Sequence, residues 1–326
     1  MTTGTTVSTP RNTGKSLRQR EEAPRYGTAA KDLAFMPHAF VNFSLPQRAI
    51  TDTMWRRKNG KDTLTMTAGV VETPQGPVYM LPYGRYARAL ILYLCTQARK
   101  TSSATIPVAH SYRGLMEQIG MPWNKNNATE AIRQLQALLA SSISITRTRE
   151  TENGRTVDDV RFTLAFSSHL TFELDREELK EGEESTVTLS ETFFQALMDG
   201  QAIPVKYEAW LHLARLTKSP LPLDLYVWLS YRMNTVKSEQ RVTWVQLYEQ
   251  FGATGSMRAF RGSFRAALEL VRQVYPEANI TEVGAGGGTR KGLKGFLLRM
   301  SKNALDTAWT PEQPQTALDS DGDTGQ

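Results

Sequence analysis

Residues 111–150 read SYRGLMEQIGMPWNKNNATEAIRQLQALLASSISITRTRE, and a change of period inside this stretch decides the fold. Ser111 to Gly120 forms a short helix closed by a glycine. From Asn124 onward Ile132, Leu135 and Leu139 recur at helical spacing, with Asn127 or Thr129 able to cap the helix. After Ser142 the period drops to two, since Ile143 and Ile145 alternate with polar residues. Glu152-Asn153-Gly154-Arg155 is a turn, and Val160, Phe162 and Leu164 line one face of a returning strand. Upstream, Tyr83-Gly84 opens a helix carrying Ala87, Leu90, Ile91 and Leu94 on one face, and Ile106-Pro107-Val108 is a short extended piece.

Three helices followed by a β-hairpin is the order of a winged helix. The same plan returns later in the chain. SPLPLDLYVWLSYRM from Ser219 is helical, Arg241 to Trp244 is a short strand and VQLYEQFGA from Val245 a short helix. A long helix from Met257 follows, and ITEV from Ile280 with GFLLRM from Gly295 make a second hairpin around GAGGGTRKGLK. The recurrence is one of plan rather than of letters. The expected fold class is therefore α+β, two tandem winged-helix domains flanked by mobile tails.

Charge and composition place the boundaries. Residues 1–34 form a basic N-terminal tail, with Arg11, Lys15, Arg18, Arg20, Arg25 and Lys31 against Glu21 and Glu22 in its first 31 residues. Residues 35–172 form an N-terminal winged-helix domain with a preceding hairpin at Asn59-Gly60, and FVNFSLPQR near its start reads as strand and turn. Residues 173–185 carry seven acids against Arg176 and Lys180, an acidic linker. Residues 186–302 form the second winged helix. Residues 303–326 hold five acids and no Lys or Arg, an acidic disordered tail. The chain of 326 residues, with 39 Lys and Arg against 33 Asp and Glu, has no apolar run near the roughly 20 residues a membrane crossing needs. No secretory leader opens it, so the expected compartment is the cytoplasm. Cys95, the single cysteine, lies in ALILYLC and is expected to be a buried, inert thiol.

The residues that point to chemistry are basic. At about 100° per residue, Arg258, Arg261, Arg265 and Arg272 fall within roughly 60° of one another on the helix from Met257. Phe260, Phe264, Ala267, Leu268 and Val271 occupy the neighbouring arc. Arginine suits bidentate contact with phosphate or with guanine O6 and N7, and a helix fits the major groove of duplex DNA. The competing reading is a solvated arginine face, but only Glu269 is acidic within the helix, so little internal neutralisation is expected. Arg290, Lys291 and Lys294 at the second hairpin would grip neighbouring phosphates. In the first domain Asn124, Lys125, Asn126, Asn127 and Thr129, with Arg133 a turn later, can contact bases and phosphates from a helix N-terminus, although capping explains part of that set.

Enzymatic readings find little footing. His38, His110, His169 and His212 are scattered without a metal-ligand spacing, so no catalytic residue, metal or cofactor is expected. GAGGGTRKGLK does not accommodate a phosphate-loop pattern of Gly-x4-Gly-Lys-Ser/Thr.

IPVKYEAWLHLARLTKSPLPLDLYVWLSYRM, with Pro204, Ser219, Pro220, Leu223, Asp224, Tyr226, Trp228, Tyr231 and Arg232, resembles the RepA-type plasmid replication initiators. FVNFSLPQR, WRRKNGKDTLTM, LPYGRYARALILYL and QFGA followed by an Arg/Phe-rich helix extend the resemblance over roughly residues 35 to 300. The resemblance implies a bacterial cytoplasmic protein of two winged helices that binds directly repeated origin sequences (iterons) in double-stranded DNA. It further implies opening of an A·T-rich duplex, recruitment of host helicase or loader proteins and dimerisation through the first domain. A winged-helix transcriptional regulator or autorepressor would use the same surface. The helix from Ser219 has its own physical reading as core: Leu221, Leu225, Trp228 and Leu229 form its apolar stripe, and Asp224 supports its first turn.

Overall fold

The structure, a computed structural model, describes residues 32–73, 75–109, 111–151, 154–170, 185–284, 294–307 and 309. The described residues open with β1 (Leu33–Pro37) and a short helix α1 (His38–Asn42), then the hairpin β2 (Met54–Asn59) and β3 (Asp62–Thr67) and the ribbon β4 (Gly69–Val71) and β5 (Val78–Met80). Next come α2 (Gly84–Thr101), β6 (Thr105–Val108), α3 (Tyr112–Gln118), α4 (Lys125–Ala140), β7 (Ser142–Thr151), β8 (Gly154–Thr163) and β9 (Ala165–His169). The second half runs β10 (Ser185–Leu189), α5 (Glu191–Met198), β11 (Ala202–Lys206), α6 (Tyr207–Leu216) and α7 (Leu221–Thr235). Its remaining described elements are β12 (Gln240–Thr243), α8 (Trp244–Gln250), α9 (Met257–Val274), β13 (Ile280–Val283), β14 (Gly295–Leu298) and a 3-10 turn at Ala304–Asp306. The architecture is mixed α and β, with several small sheets between the helices.

Strand pairing runs across the division placed between 172 and 186. β1, near the start of the first half, pairs antiparallel with β11 of the second, Phe35 opposite Pro204. β10 returns to the first half and lies between β6 and β9. Ser185, assigned to the linker, is the first residue of β10 and is buried; residues 171–184 lie outside the described ones. In the second half β12, β14 and β13 form one sheet in that order, so the strand before α8 closes on the returning hairpin strand. The equivalent β6 closes instead on β10. The β7–β8 hairpin is taken up by β3 into the sheet β2-β3-β7-β8.

Three boundary expectations are corrected. Leu33 and Ala34 are not tail but buried strand, because an apolar pair beside Val205 has core to join. Residues 303–307 and Trp309 are not a free tail either: Ala304 and Leu305 are buried, Lys206 Nζ donates to Trp309 O at 2.7 Å, and the His212 ring lies edge-on to Trp309 at 5.3 Å. FVN of FVNFSLPQR belongs to α1 rather than to a strand, its Phe40 and Val41 buried one turn after Pro37.

The buried side chains form one cluster spanning both halves. A buried ion pair joins them. Arg88 on α2 donates from Nε and Nη2 to Asp224 of α7 at 2.6 and 2.7 Å. Its other donors go to Leu45 O, Pro46 O and Gly84 O at 2.8, 3.1 and 2.8 Å. Asp224 thus does more than favour a helix start, and the arginine fork has backbone partners as well as the carboxylate, which offsets the cost of burying the pair. Cys95 is fully buried, and burial pushes its thiol well above the ordinary value. A thiol reagent is expected to leave the native protein unmodified and to titrate one thiol per chain after denaturant is added.

Candidate nucleic-acid interface

α8 and α9 are built by explicit terminal chemistry. Thr243 and Gln246 form a reciprocal capping box at the start of α8, and Ser256 accepts from Ala259 N at the start of α9. Between them Gly252 sits at φ +64, a left-handed value that favours glycine, and an added Cβ would stand 2.8 Å from the Trp55 ring. That turn is held from the first half of the chain. Ser44 N donates to Gln250 O at 3.3 Å and Gln47 Nε2 to Phe251 O at 3.0 Å. Arg57 lies 3.5 Å over the Trp55 ring beneath it. The first half has the same plan: Ser111 caps α3 through Gly114 N, Gly120 has φ +66, and Asn124 caps α4 through Asn127 N.

The likeness is in letters as well as plan, which corrects the sequence expectation. Leu115-Met116-Glu117-Gln118-Ile119-Gly120 corresponds to Leu247-Tyr248-Glu249-Gln250-Phe251-Gly252, 132 positions on. The cap residues Ser111 and Thr243, and Asn124 and Ser256, keep that spacing, and α4 and α9 start at equivalent positions. Asn126 then corresponds to Arg258, Thr129 to Arg261 and Arg133 to Arg265.

α9 buries Phe260, Phe264, Ala267, Leu268 and Val271 and turns its arginines outward, as the spacing required. Arg258 is exposed and makes no ion pair with a described residue. Arg261 lies 5.5 Å from the Trp244 ring centre, with its Nε buried and unpaired. The two remaining arginines are neutralised, contrary to expectation. Arg265 is held by Glu282, and Arg272 by Glu269 at 2.7 Å and by Ile280 O at 3.2 Å. Counting acids within the helix missed Glu282, which arrives from β13. Arg272 is accordingly removed from the exposed cationic set. Lys294 is exposed, and its carbonyl accepts from Trp244 N at 3.1 Å, which sets it beside the start of α8. Arg290 and Lys291 lie outside the described residues.

In the first half Lys125, Asn126 and Arg133 are exposed. Asn124, Asn127 and Thr129 are partly spent on the helix itself, since Asn127 Nδ2 donates to Pro122 O at 3.3 Å and Thr129 Oγ1 to Lys125 O at 2.9 Å. Two exposed neighbours were missed: Trp123, and Arg113 with its guanidinium 6.0 Å from that ring. The shared helix-turn-helix spacing is the signal that would have found them, because both precede or flank the first turn of α4.

The Arg265 pairing also fixes a charge. The bidentate hydrogen bonds hold the Glu282 carboxyl below its ordinary 4.5. A depressed folded value means that this pairing favours the native state at neutral pH and is lost as pH falls through that value. Carboxyl NMR titration is expected to give a Glu282 midpoint below 4.5, moving up in Arg265→Ala.

Residues 81–249 match the family model described as plasmid encoded RepA protein. No curated protein sequence matches the chain. Among solved structures, a crystal structure of domains 2 and 3 of RctB in selenomethionine form is similar at 10% identity and a TM-score of 0.50, covering 80% of this chain and 96% of that one. A second crystal structure of RctB domains 2–3 gives 10% identity and a TM-score of 0.46, with coverage of 81% and 96%. At that identity the likeness concerns fold alone.

Proposed function

Because the chain belongs to the family of plasmid-encoded RepA proteins, which are replication initiators, we propose that it binds repeated duplex sequences at a plasmid origin through two helix-turn-helix units. The observation that carries this reading is the pair α3–α4 and α8–α9, laid out at one spacing with exposed cations at the start of each second helix. The sheet order β12-β14-β13 supports a winged helix in the second half. In the first half the same three-helix order carries a variant in which β10 lies between β6 and β9, while the β7–β8 hairpin joins β3 in another sheet. Arg258, Arg261 and Lys294 on one side, and Lys125, Asn126 and Arg133 on the other, are the proposed contacts, and joining two such contacts in one chain raises the effective concentration of the second. Opening of the origin duplex, recruitment of a host helicase or loader, homodimerisation through the first half and a place in the bacterial cytoplasm complete the proposal. The protein acts in it as a binding protein without a catalytic centre of its own.

A plasmid bearing only the origin repeats tests it, with the protein supplied in trans. Replication supports the initiator reading; repression of a promoter beside the repeats without replication would establish a regulator instead. Supercoiled origin DNA incubated with the protein and Mg²⁺ is expected to yield neither a nick nor a covalent adduct. Arg258→Ala is expected to weaken duplex binding at all sequences alike and to reduce the salt slope by about one unit, since an unrestrained guanidinium at a helix start suits phosphate. Mobility-shift titrations at several salt concentrations read both quantities.

A further inference from the structure

Arg265 and Arg258 share a helix face but not a mechanical state. Arg265 Nε and Nη2 donate to the two oxygens of Glu282 at 2.8 and 2.7 Å. Its guanidinium carbon lies 5.3 Å from the centre of the Trp244 ring, so an indole and a strand carboxylate restrain it together. Glu282 itself sits in β13 opposite Phe296 of β14, a fixed point of the sheet, with its side chain 23% exposed. The Arg265 side chain is half-exposed, at 50%.

A guanidinium has five N–H donors in a planar fork. Two are taken by Glu282 along the edge made by Nε and Nη2. The end-on edge, made by Nη1 and the second hydrogen of Nη2, has no hydrogen-bond partner among the described residues, and its two parallel donors are the pair that matches O6 and N7 of guanine in the major groove. A long side chain fixed beforehand loses less rotamer freedom when it meets a base, and it cannot swing aside to meet a phosphate instead. Arg133, at the equivalent position of α4, has no ion pair with a described residue. Among the described residues the device belongs to the second unit alone.

We propose that Glu282 is a positioning residue for base recognition, and that it aims the end-on fork of Arg265 at one guanine of the bound duplex. The inference rests on the duplex-binding reading above and adds to it the base recognised and the residue that sets the recognition. The two acidic oxygens work at a cost: a carboxylate beside the DNA opposes phosphate. Removing it therefore separates specificity from affinity, which loss of packing would not do.

The test begins with duplexes selected by the wild-type protein from a random pool, each base of the site then being varied in turn. Arg265→Ala is expected to abolish a guanine preference at one position, where the wild type discriminates by about tenfold or more. Glu282→Gln keeps the shape but offers the fork only one acceptor, and it is expected to lower the preference at that same position by about fivefold or more. Its affinity for unrelated duplex should be unchanged or higher, with cooperative unfolding retained. Glu282→Ala serves as the second variant, and in an Arg265→Ala background neither change should affect base preference further. Full guanine preference in both Glu282 variants, or no position at which Arg265→Ala loses a preference, overturns the inference and leaves duplex binding standing. Failure of the wild type to retain any duplex at low salt overturns both.

Discussion

Asp224→Ala is expected to lower the unfolding free energy by about 3–5 kcal/mol, the range for removing one partner of a buried ion pair. The cause is the charge that stays behind. Arg88 is 3% exposed; with Asp224 gone it keeps three carbonyl acceptors and no countercharge, and the two donors that faced the carboxylate are left without acceptors. Because α2 comes from the first half and α7 from the second, the defect falls where the halves meet. Urea titration followed by tryptophan fluorescence measures the loss. Arg88→Met combined with Asp224→Leu is expected to recover most of it, since replacing both members of a buried pair by apolar groups of similar size is often close to neutral. A single variant as stable as the wild type would mean that the pair is not what joins the two halves.

Asp224 also shows what could be read from the chain and what could not. Its place in the first turn of α7 was legible from Pro222 and from the apolar stripe of Leu221, Leu225 and Trp228. Its partner lies 136 positions away, and no periodicity within either helix points to it. The same limit explains Arg265. The helix face it occupies follows from spacing alone, whereas the carboxylate that restrains it belongs to a strand beyond the end of that helix. Local order was legible for a physical reason: period, caps and turn glycines are properties of a few neighbouring residues. α3, α4, the β7–β8 hairpin, α8 and α9 all follow from them.

Strand partners between distant segments were not legible. Nothing near Leu33 announces β11, and nothing near Ser185 announces the place between β6 and β9. The tail boundaries erred in the same direction: Trp309 is an isolated apolar residue in polar surroundings that composition averaged over a window hides, and Leu33 and Ala34 open the apolar run of β1 just before the boundary placed at residue 35. The repeat of Leu-x-Glu-Gln, an apolar residue and Gly was in the letters throughout. It has a structural cause on both occasions, because the left-handed glycine that ends the short helix makes the turn into the long one. At Gly120 an added Cβ would lie 2.3 Å from Leu211 Cδ2.

Phe264→Ala carries the other large effect, about 3–5 kcal/mol of stability. Phe264 is fully buried in an aromatic cluster, its ring 5.5 Å from Trp244, 5.6 Å from Phe251, 5.7 Å from Phe260 and 5.3 Å from Phe296. These rings come from α8, from the turn, from α9 and from β14, so one side chain fixes the short helix, the long helix and the hairpin strand to each other. Truncation opens a cavity that rigid secondary structure closes only in part, and it removes four ring contacts together. The functional consequence follows from Trp244. That indole backs both Arg261 and Arg265, and once Phe264 no longer supports it the guanidinium groups lose their common rest. Duplex selectivity is therefore expected to fall below wild type even at temperatures where Phe264→Ala is still folded, while Ile132→Ala, at the equivalent position of α4, should leave base preference within the second unit's half of the site intact. Thermal denaturation and base-by-base competition binding, measured on the same preparations, separate the two effects; full selectivity in a destabilised Phe264→Ala protein would show that the aromatic cluster supports the fold without aiming the arginines.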